Sequence, residues 1–141
     1  MHTILVIDDS RFFRIANERI LSKAGYHAVG AGDGEEALRI VGQTLPDVIL
    51  LDMMLPKMGG PEVLQSLKKN PATAKIPVIV LTSLSQKNEG KLRQAGAFAF
   101  LEKGPLLDNP GLLLGTVERA INKDGNGRPR EQLMQDSVPL R

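Results

Sequence analysis

The chain has 141 residues, of which 42% are hydrophobic and 24% are charged, so it suits one globular domain and is too short for two domains of ordinary size. Its 18 lysines and arginines barely outnumber its 16 aspartates and glutamates and are scattered, which argues against a nucleic-acid-binding protein. It has no cysteine, and this excludes disulfides, thiolate metal sites and cysteine nucleophiles.

The first ten residues contain no long apolar segment and include two adjacent aspartates. We therefore expect neither a secretory signal nor a membrane anchor. The predictions are a cytoplasmic location and no membrane partner.

Five short apolar runs, rich in β-branched residues, predict strands. They lie at residues 3–7, 27–31, 47–51, 77–82 and 97–101. Apolar residues at helical spacing predict helices between and after them, at about 11–24, 33–43, 60–70, 86–95 and 109–122. Strand and helix alternate, and at least the first, third and fourth strands are apolar throughout, as in a parallel sheet covered on both faces. The pattern predicts an open, doubly wound α/β domain.

The composition changes after residue 122. Residues 123–141 contain two glycines, two prolines and few large apolar side chains. We therefore predict a folded domain at 1–122 and a flexible C-terminal tail or linker at 123–141.

Polar side chains follow four of the predicted strands where each strand ends. In open α/β sheets, ligands bind outside the carboxyl ends of the strands, so these side chains are expected to meet at one edge. They are Asp8 and Asp9 after the first strand, Asp52 after the third, Thr82 and Ser83 at the fourth, and Lys103 beyond the fifth.

Three clustered carboxylates repel one another unless a cation neutralises them. With oxygen ligands only, no cysteine and no nearby histidine, the favoured ion is Mg²⁺. An aspartate beside Mg²⁺ can act as a nucleophile toward a phosphoryl group. The metal, a lysine and a hydroxyl would then share the charge of the phosphoryl oxygens.

Four motifs, "ILVIDDS", "DVILLDMMLPKMGG", "IPVIVLTS" and "AGAFAFLEK", resemble those of the receiver domain of two-component response regulators, in the same order and spacing. The resemblance covers residues 3 to about 122. It implies a five-stranded, flavodoxin-like parallel sheet of order 2-1-3-4-5 with five helices. It also implies a phosphoaccepting regulatory switch, rather than a turnover enzyme, that receives its phosphoryl group from a histidine kinase or a phosphotransfer protein.

By this resemblance, Asp52 is the phosphoacceptor and Asp9 is the direct Mg²⁺ ligand, while Asp8 acts through water. The backbone carbonyl of Met54 completes the metal site. Lys103 pairs with the phosphoryl oxygens.

The same resemblance makes Thr82 the switch hydroxyl and Phe100 the aromatic that changes rotamer after phosphorylation. Ser83 is small enough to leave the acceptor open. The output surface is the face of the fourth predicted helix, the fifth strand and the last helix, which would bind a downstream effector protein.

Two features depart from the family pattern. The family lysine is usually followed by proline, often through a cis bond, whereas Gly104 stands between Lys103 and Pro105. A cis bond costs about 2.5–4 kcal/mol before glycine and about 0.5–1 kcal/mol before proline, so we expect a trans bond or a rearranged loop. The apolar Met54 and Leu84 occupy positions that are commonly polar, which predicts slow hydrolysis of phosphorylated Asp52.

Two other functions are compatible with parts of the sequence. A phosphatase of the haloacid dehalogenase type also places an aspartate after an apolar strand, but it needs a second acid where this chain has Met54. A receiver-like binding module that no longer depends on phosphorylation would tolerate Gly104. The sequence also leaves open whether the output is another protein or a further part of a longer chain.

Overall fold

The computed structural model describes residues 1–82 and 93–122, and within them five strands form one parallel sheet. The strands are β1 (Thr3–Ile7), β2 (His27–Ala31), β3 (Val48–Asp52), β4 (Val78–Thr82) and β5 (Ala99–Glu102). They are arranged in the order β2-β1-β3-β4-β5, so the predicted order is confirmed. All five therefore end at the same edge of the sheet.

The described residues contain five helices, which complete the doubly wound fold. They are α1 (Arg11–Lys23), α2 (Gly34–Thr44), α3 (Gly60–Lys69), α4 (Lys103–Asp108) and α5 (Pro110–Ile121). Two predicted segments lie outside the described residues. They are most of the helix predicted at 86–95 and the whole tail predicted at 123–141. No helix among residues 1–82 and 93–122 has the length and apolar content needed to cross a membrane.

Helix α4 was not predicted. Its sequence, KGPLLD, contains a glycine and a proline and is too short to show a helical period. Pro105 is tolerated because it lies in the first turn, where its missing N–H would have no helical partner. Leu106 is almost fully buried and anchors the helix to the core. Packing therefore stabilises a helix that local propensity does not favour.

The starts of the first two helices are set by side-chain caps. Ser10 Oγ accepts the Phe13 N–H at 3.4 Å at the start of α1. At the start of α2, the Asp33 carboxylate accepts the Glu36 N–H at 2.8 Å, and the Glu36 carboxylate accepts the Gly32 N–H at 2.8 Å. The first bond satisfies a backbone donor that a helix N-terminus leaves unpaired, and the second fixes the residue just before the cap.

The core lies in two layers, one on each face of the sheet. Alternate residues of β1 enter opposite layers: Leu5 and Ile7 pack with α2 and α3, whereas Ile4 and Val6 pack with α1 and α5. Every residue of β3 and β4 is buried. Both faces of the central strands are thus occupied by apolar packing.

Candidate functional site

Three carboxylates meet at the carboxyl edge of the sheet. Asp8 follows β1 and is fully buried, Asp52 ends β3 and is 2% exposed, and Asp9 is exposed. One carboxylate oxygen from each lies within 4.8 Å of the other two. The acids that follow the first and third strands therefore lie together, as predicted.

Lys103 connects the two buried acids. Its Nζ lies 2.9 Å from Asp8 Oδ2 and donates a hydrogen bond to Asp52 Oδ2 at 3.3 Å. No peptide bond in residues 1–82 and 93–122 is cis, which includes the bond from Lys103 to Gly104, so the expected trans geometry is present. Because β5 passes directly into α4 at Lys103, the lysine reaches the acids without the proline turn typical of the family.

Backbone groups hold the two buried carboxylates in place. The Ser10 N–H donates to Asp8 Oδ1 at 2.9 Å, and the Met54 N–H donates to Asp52 Oδ1 at 3.0 Å. Arg14 also donates to the Asp8 backbone carbonyl at 2.8 Å. Each carboxylate is thus bound by an N–H on one oxygen and faces Lys103 with the other.

The site has less positive charge than its two buried acids require. Burial raises the pKa of Asp52, the Met54 N–H opposes this, the charge of Asp8 adds to it and Lys103 reduces it, so the pKa stays above its ordinary value of 3.8. Burial alone would lower the pKa of Lys103, but its close contact with Asp8 and the charges of both acids outweigh burial and raise it. One ammonium group therefore faces two buried acids.

The donor set fits Mg²⁺. Its three carboxylates are hard oxygen ligands, lie within 4.8 Å of one another and include the exposed Asp9, which gives access from solvent. A divalent cation would supply the missing positive charge. Met54 lies beside these acids through its N–H bond to Asp52, and a role for its carbonyl stays a prediction.

The predicted switch residues lie on the two neighbouring strands. Thr82 is the last residue of β4 and is 7% exposed, and Phe100 of β5 is buried in the layer of α2 and α3. The guanidinium carbon of Arg93 lies 4.7 Å from the centre of the Phe100 ring. Ser83 and Leu84, also predicted to affect the phosphate, lie outside the described residues.

The loop between β3 and α3 brings backbone close to Asp52. The Gly60 N–H donates to the Met53 carbonyl at 3.3 Å, and a Cβ at Gly60 would lie 2.6 Å from the Asp52 carbonyl oxygen. The Met54 side chain, 58% exposed, projects from this loop. At Gly60 the lack of a side chain allows this close approach.

Sequence reasoning missed two neighbours of the site. Phe13 lies with its ring centre 4.5 Å from Lys103 Nζ, and Arg14 contacts the Asp8 backbone. The available signal was position, since both residues lie in the first turn of a helix that starts directly after the acid pair. The prediction of the first helix gave neither residue a role at the site.

Comparison with known proteins identifies the family that shares this arrangement. The family model described as "Response regulator receiver domain" matches residues 4–109. A curated relative, a probable transcriptional regulator ycf27 of Guillardia theta, is 43% identical over 81 residues, which are 57% of this chain and 31% of that protein. The chain thus spans about a third of the length of this relative.

Two solved structures show the same fold. The chemotaxis protein CheY4 of Vibrio cholerae superposes with a TM-score of 0.78 and 31% identity, covering 85% of this chain and 98% of that one. The Mn²⁺-bound form of response regulator Rcp1 has a TM-score of 0.73 and 26% identity, covering 84% and 92%.

Proposed function

Because the chain belongs to the response regulator receiver domain family of two-component systems, we propose that Asp52 accepts a phosphoryl group from a phosphohistidine and that this switches a protein-binding surface. The phosphohistidine would belong to a histidine kinase or a phosphotransfer protein. The observation that carries the proposal is the contact of one lysine, Lys103, with the two buried carboxylates of Asp8 and Asp52 beside the exposed Asp9.

In the proposed reaction, a carboxylate oxygen of Asp52 attacks phosphorus. The P–O bond forms as the P–N bond to histidine breaks, and the departing imidazole nitrogen takes the electron pair and then a proton from solvent water. Lys103 lies 3.3 Å from Asp52 Oδ2, so its ammonium group is in place to pair with the phosphoryl oxygens. The chemistry makes the protein a regulatory switch and not a turnover enzyme.

Asp8, Asp9, Asp52 and the Met54 carbonyl would hold Mg²⁺. When bound, this ion neutralises negative charge on the carboxylates and the phosphoryl oxygens. Support comes from the all-oxygen donor set and from the Mn²⁺-bound form of the related Rcp1. The exposure of Asp9 leaves a route for the ion from solvent.

The switch is proposed to pass through Thr82 and Phe100. Movement of the Thr82 hydroxyl toward the phosphoryl group would change the space beside Phe100 and its contact with Arg93. The face of the helix predicted at 86–95, β5 and α5 would then change its affinity for an effector. That effector is a separate protein or another part of a longer chain, and the cytoplasmic location stays a prediction.

Phosphorylation of Asp52 can be tested directly. The protein is incubated with acetyl phosphate and Mg²⁺, or with beryllofluoride and Mg²⁺, and followed by intact mass and by amide NMR shifts. We expect the mass of one phosphoryl group and shifts on β4 and β5, both lost in Asp52→Ala or with EDTA. Asp108→Ala, which removes an exposed aspartate, should respond as the parent does.

A parent protein that shows neither change would contradict the proposal. It would favour the binding module that no longer depends on phosphorylation. Steady release of inorganic phosphate from phosphomonoesters, with no retained phosphoryl group, would instead support the phosphatase alternative.

Met54→Asn is expected to shorten the life of the phosphorylated state. The Met54 side chain is exposed beside the acceptor and cannot hold an attacking water by a hydrogen bond, whereas an amide can. The rate of dephosphorylation should rise roughly 3- to 10-fold, a change of about 0.7–1.4 kcal/mol in activation free energy.

The measurement is loss of the phosphoryl mass with time after the donor is removed. Lys57→Asn is the matched control, since it places the same side chain in the same loop where φ is 63°, a conformation that asparagine tolerates. No acceleration in Met54→Asn, or equal acceleration in both variants, would count against the role of Met54.

A further inference from the structure

The ammonium group of Lys103 has a third neighbour besides the two acids. Its Nζ lies 4.5 Å from the centre of the Phe13 ring, within the range in which an aromatic face attracts a cation. Lys103 is 9% exposed, and Phe13 is half-buried. A cation–π contact is worth more where water is largely excluded, as it is here.

Hydrogen bonds through Ser10 link the backbone of Phe13 to Asp8, one of the two acids that Lys103 contacts. The Phe13 N–H donates to Ser10 Oγ at 3.4 Å, and the Ser10 N–H donates to Asp8 Oδ1 at 2.9 Å. Lys103 Nζ in turn lies 2.9 Å from Asp8 Oδ2, so Phe13, Asp8 and Lys103 are linked to one another. The Phe12 ring packs edge-on against Phe13, with centres 5.5 Å apart and planes at 80°.

The Phe13 ring gives the Lys103 side chain a restraint besides its two charge contacts. The lysine side chain is long and flexible, and the next residue, Gly104, contributes no side chain that could pack beside it. A third carboxylate would restrain the ammonium group but would add to the repulsion between Asp8 and Asp52. An aromatic face attracts the cation without a formal charge, and it does not compete with the phosphoryl oxygens for the N–H donors of the ammonium group.

We propose that Phe13 is a positioning residue, which holds the Lys103 ammonium group against Asp8 and Asp52 and so places it for phosphoryl transfer. This inference rests on the proposed function for its catalytic consequence. The contact itself exists in the unphosphorylated protein and can be measured there.

The first measurement is NMR of the unphosphorylated protein without donor. The ε protons of Lys103, assigned by their absence in Lys103→Met, should be shifted upfield by the Phe13 ring. The shift should be lost in Phe13→Leu and kept in Phe13→Tyr. An unshifted Lys103 in the parent would overturn the proposal.

The second measurement is the phosphorylation rate with acetyl phosphate at saturating Mg²⁺. Phe13→Leu is expected to be slower by about 3- to 10-fold, whereas Phe13→Tyr stays near the parent rate. Rescue by tyrosine guards against the case in which leucine merely disturbs folding. An unchanged rate in a folded Phe13→Leu variant that has lost the ring shift would also overturn the proposal.

The two hypotheses fail in different ways. A parent protein that never accepts a phosphoryl group contradicts the proposed function, whatever the state of Lys103. A parent protein that is phosphorylated but shows no ring shift contradicts the role of Phe13 alone.

Discussion

Replacing Lys103 with methionine is expected to lower the free energy of unfolding of the metal-free protein by about 3 kcal/mol at neutral pH, the low end for removing one partner of a buried charge pair. The variant leaves Asp8 and Asp52 buried beside each other without their shared cation. Phosphorylation should also slow by about 100-fold or more, because the ammonium group that would pair with the phosphoryl oxygens is missing.

The loss of stability should depend on pH. In the unfolded chain Asp52 has its ordinary pKa of 3.8, and in the folded protein its pKa is raised, chiefly by burial. Removal of Lys103 raises the folded pKa of Asp52 further, so the variant loses stability as pH rises from 3.8 through that raised value. The deficit relative to the parent is therefore smallest near about pH 4 and largest above the raised pKa.

Urea unfolding in EDTA across this pH range provides the measurement. Lys75→Met, which removes an exposed lysine, is the control and should change stability by less than about 0.5 kcal/mol. Addition of Mg²⁺ should restore part of the stability of Lys103→Met. Equal stability of this variant and the parent at every pH would show that Lys103 does not compensate the two acids.

Gly60→Ala is expected to destabilise the protein by about 2–3 kcal/mol and to slow phosphorylation. The new Cβ would lie 2.6 Å from both the Asp52 carbonyl oxygen and the Met53 Cα, closer than a Cβ approaches non-bonded atoms in folded proteins. Both contacts are with backbone at the end of β3, so relief requires the strand end to move. Asp52 would move with it.

The matched control is Gly42→Ala in α2, where a Cβ would meet nothing within 4 Å. That substitution should raise stability by about 0.5–1 kcal/mol, because alanine favours a helix interior over glycine. Chemical denaturation of both variants, with the phosphorylation rate measured alongside, tests the contrast. A Gly60→Ala variant as stable and as quickly phosphorylated as the parent would refute the close-packing argument.

The order of residues in the sequence predicted which acids lie at the carboxyl edge of the sheet, and the reason is physical. The carboxyl ends of parallel strands share one edge, so acids that directly follow buried runs, such as Asp8 and Asp52, must lie near each other. The same logic did not distinguish Asp8 from Asp9, since their contrast in burial depends on which way each side chain leaves the strand end. Nor did it show that Lys103 contacts both buried acids, which depends on tertiary distances.

The features missed from the sequence depend on packing across long separations. Helix α4 exists because buried Leu106 anchors six residues whose own propensities favour a turn. The prediction of α1 gave Phe13 no role at the site, and its partner Lys103 lies 90 positions away in the chain. A helical pattern shows which residues share a face of their own helix, but it contains no information on a partner so distant.

The place of β5 in the sheet has a consequence for how a signal spreads. In the sheet formed by residues 1–82 and 93–122 it is an edge strand bonded to β4 alone, so it can shift at lower cost than the central strands. Phe100 packs into one core layer and Leu101 into the other, and the strand ends just before Lys103. Under the proposed function, a pull on that lysine from an added phosphoryl group would therefore reach both core layers of the domain at once.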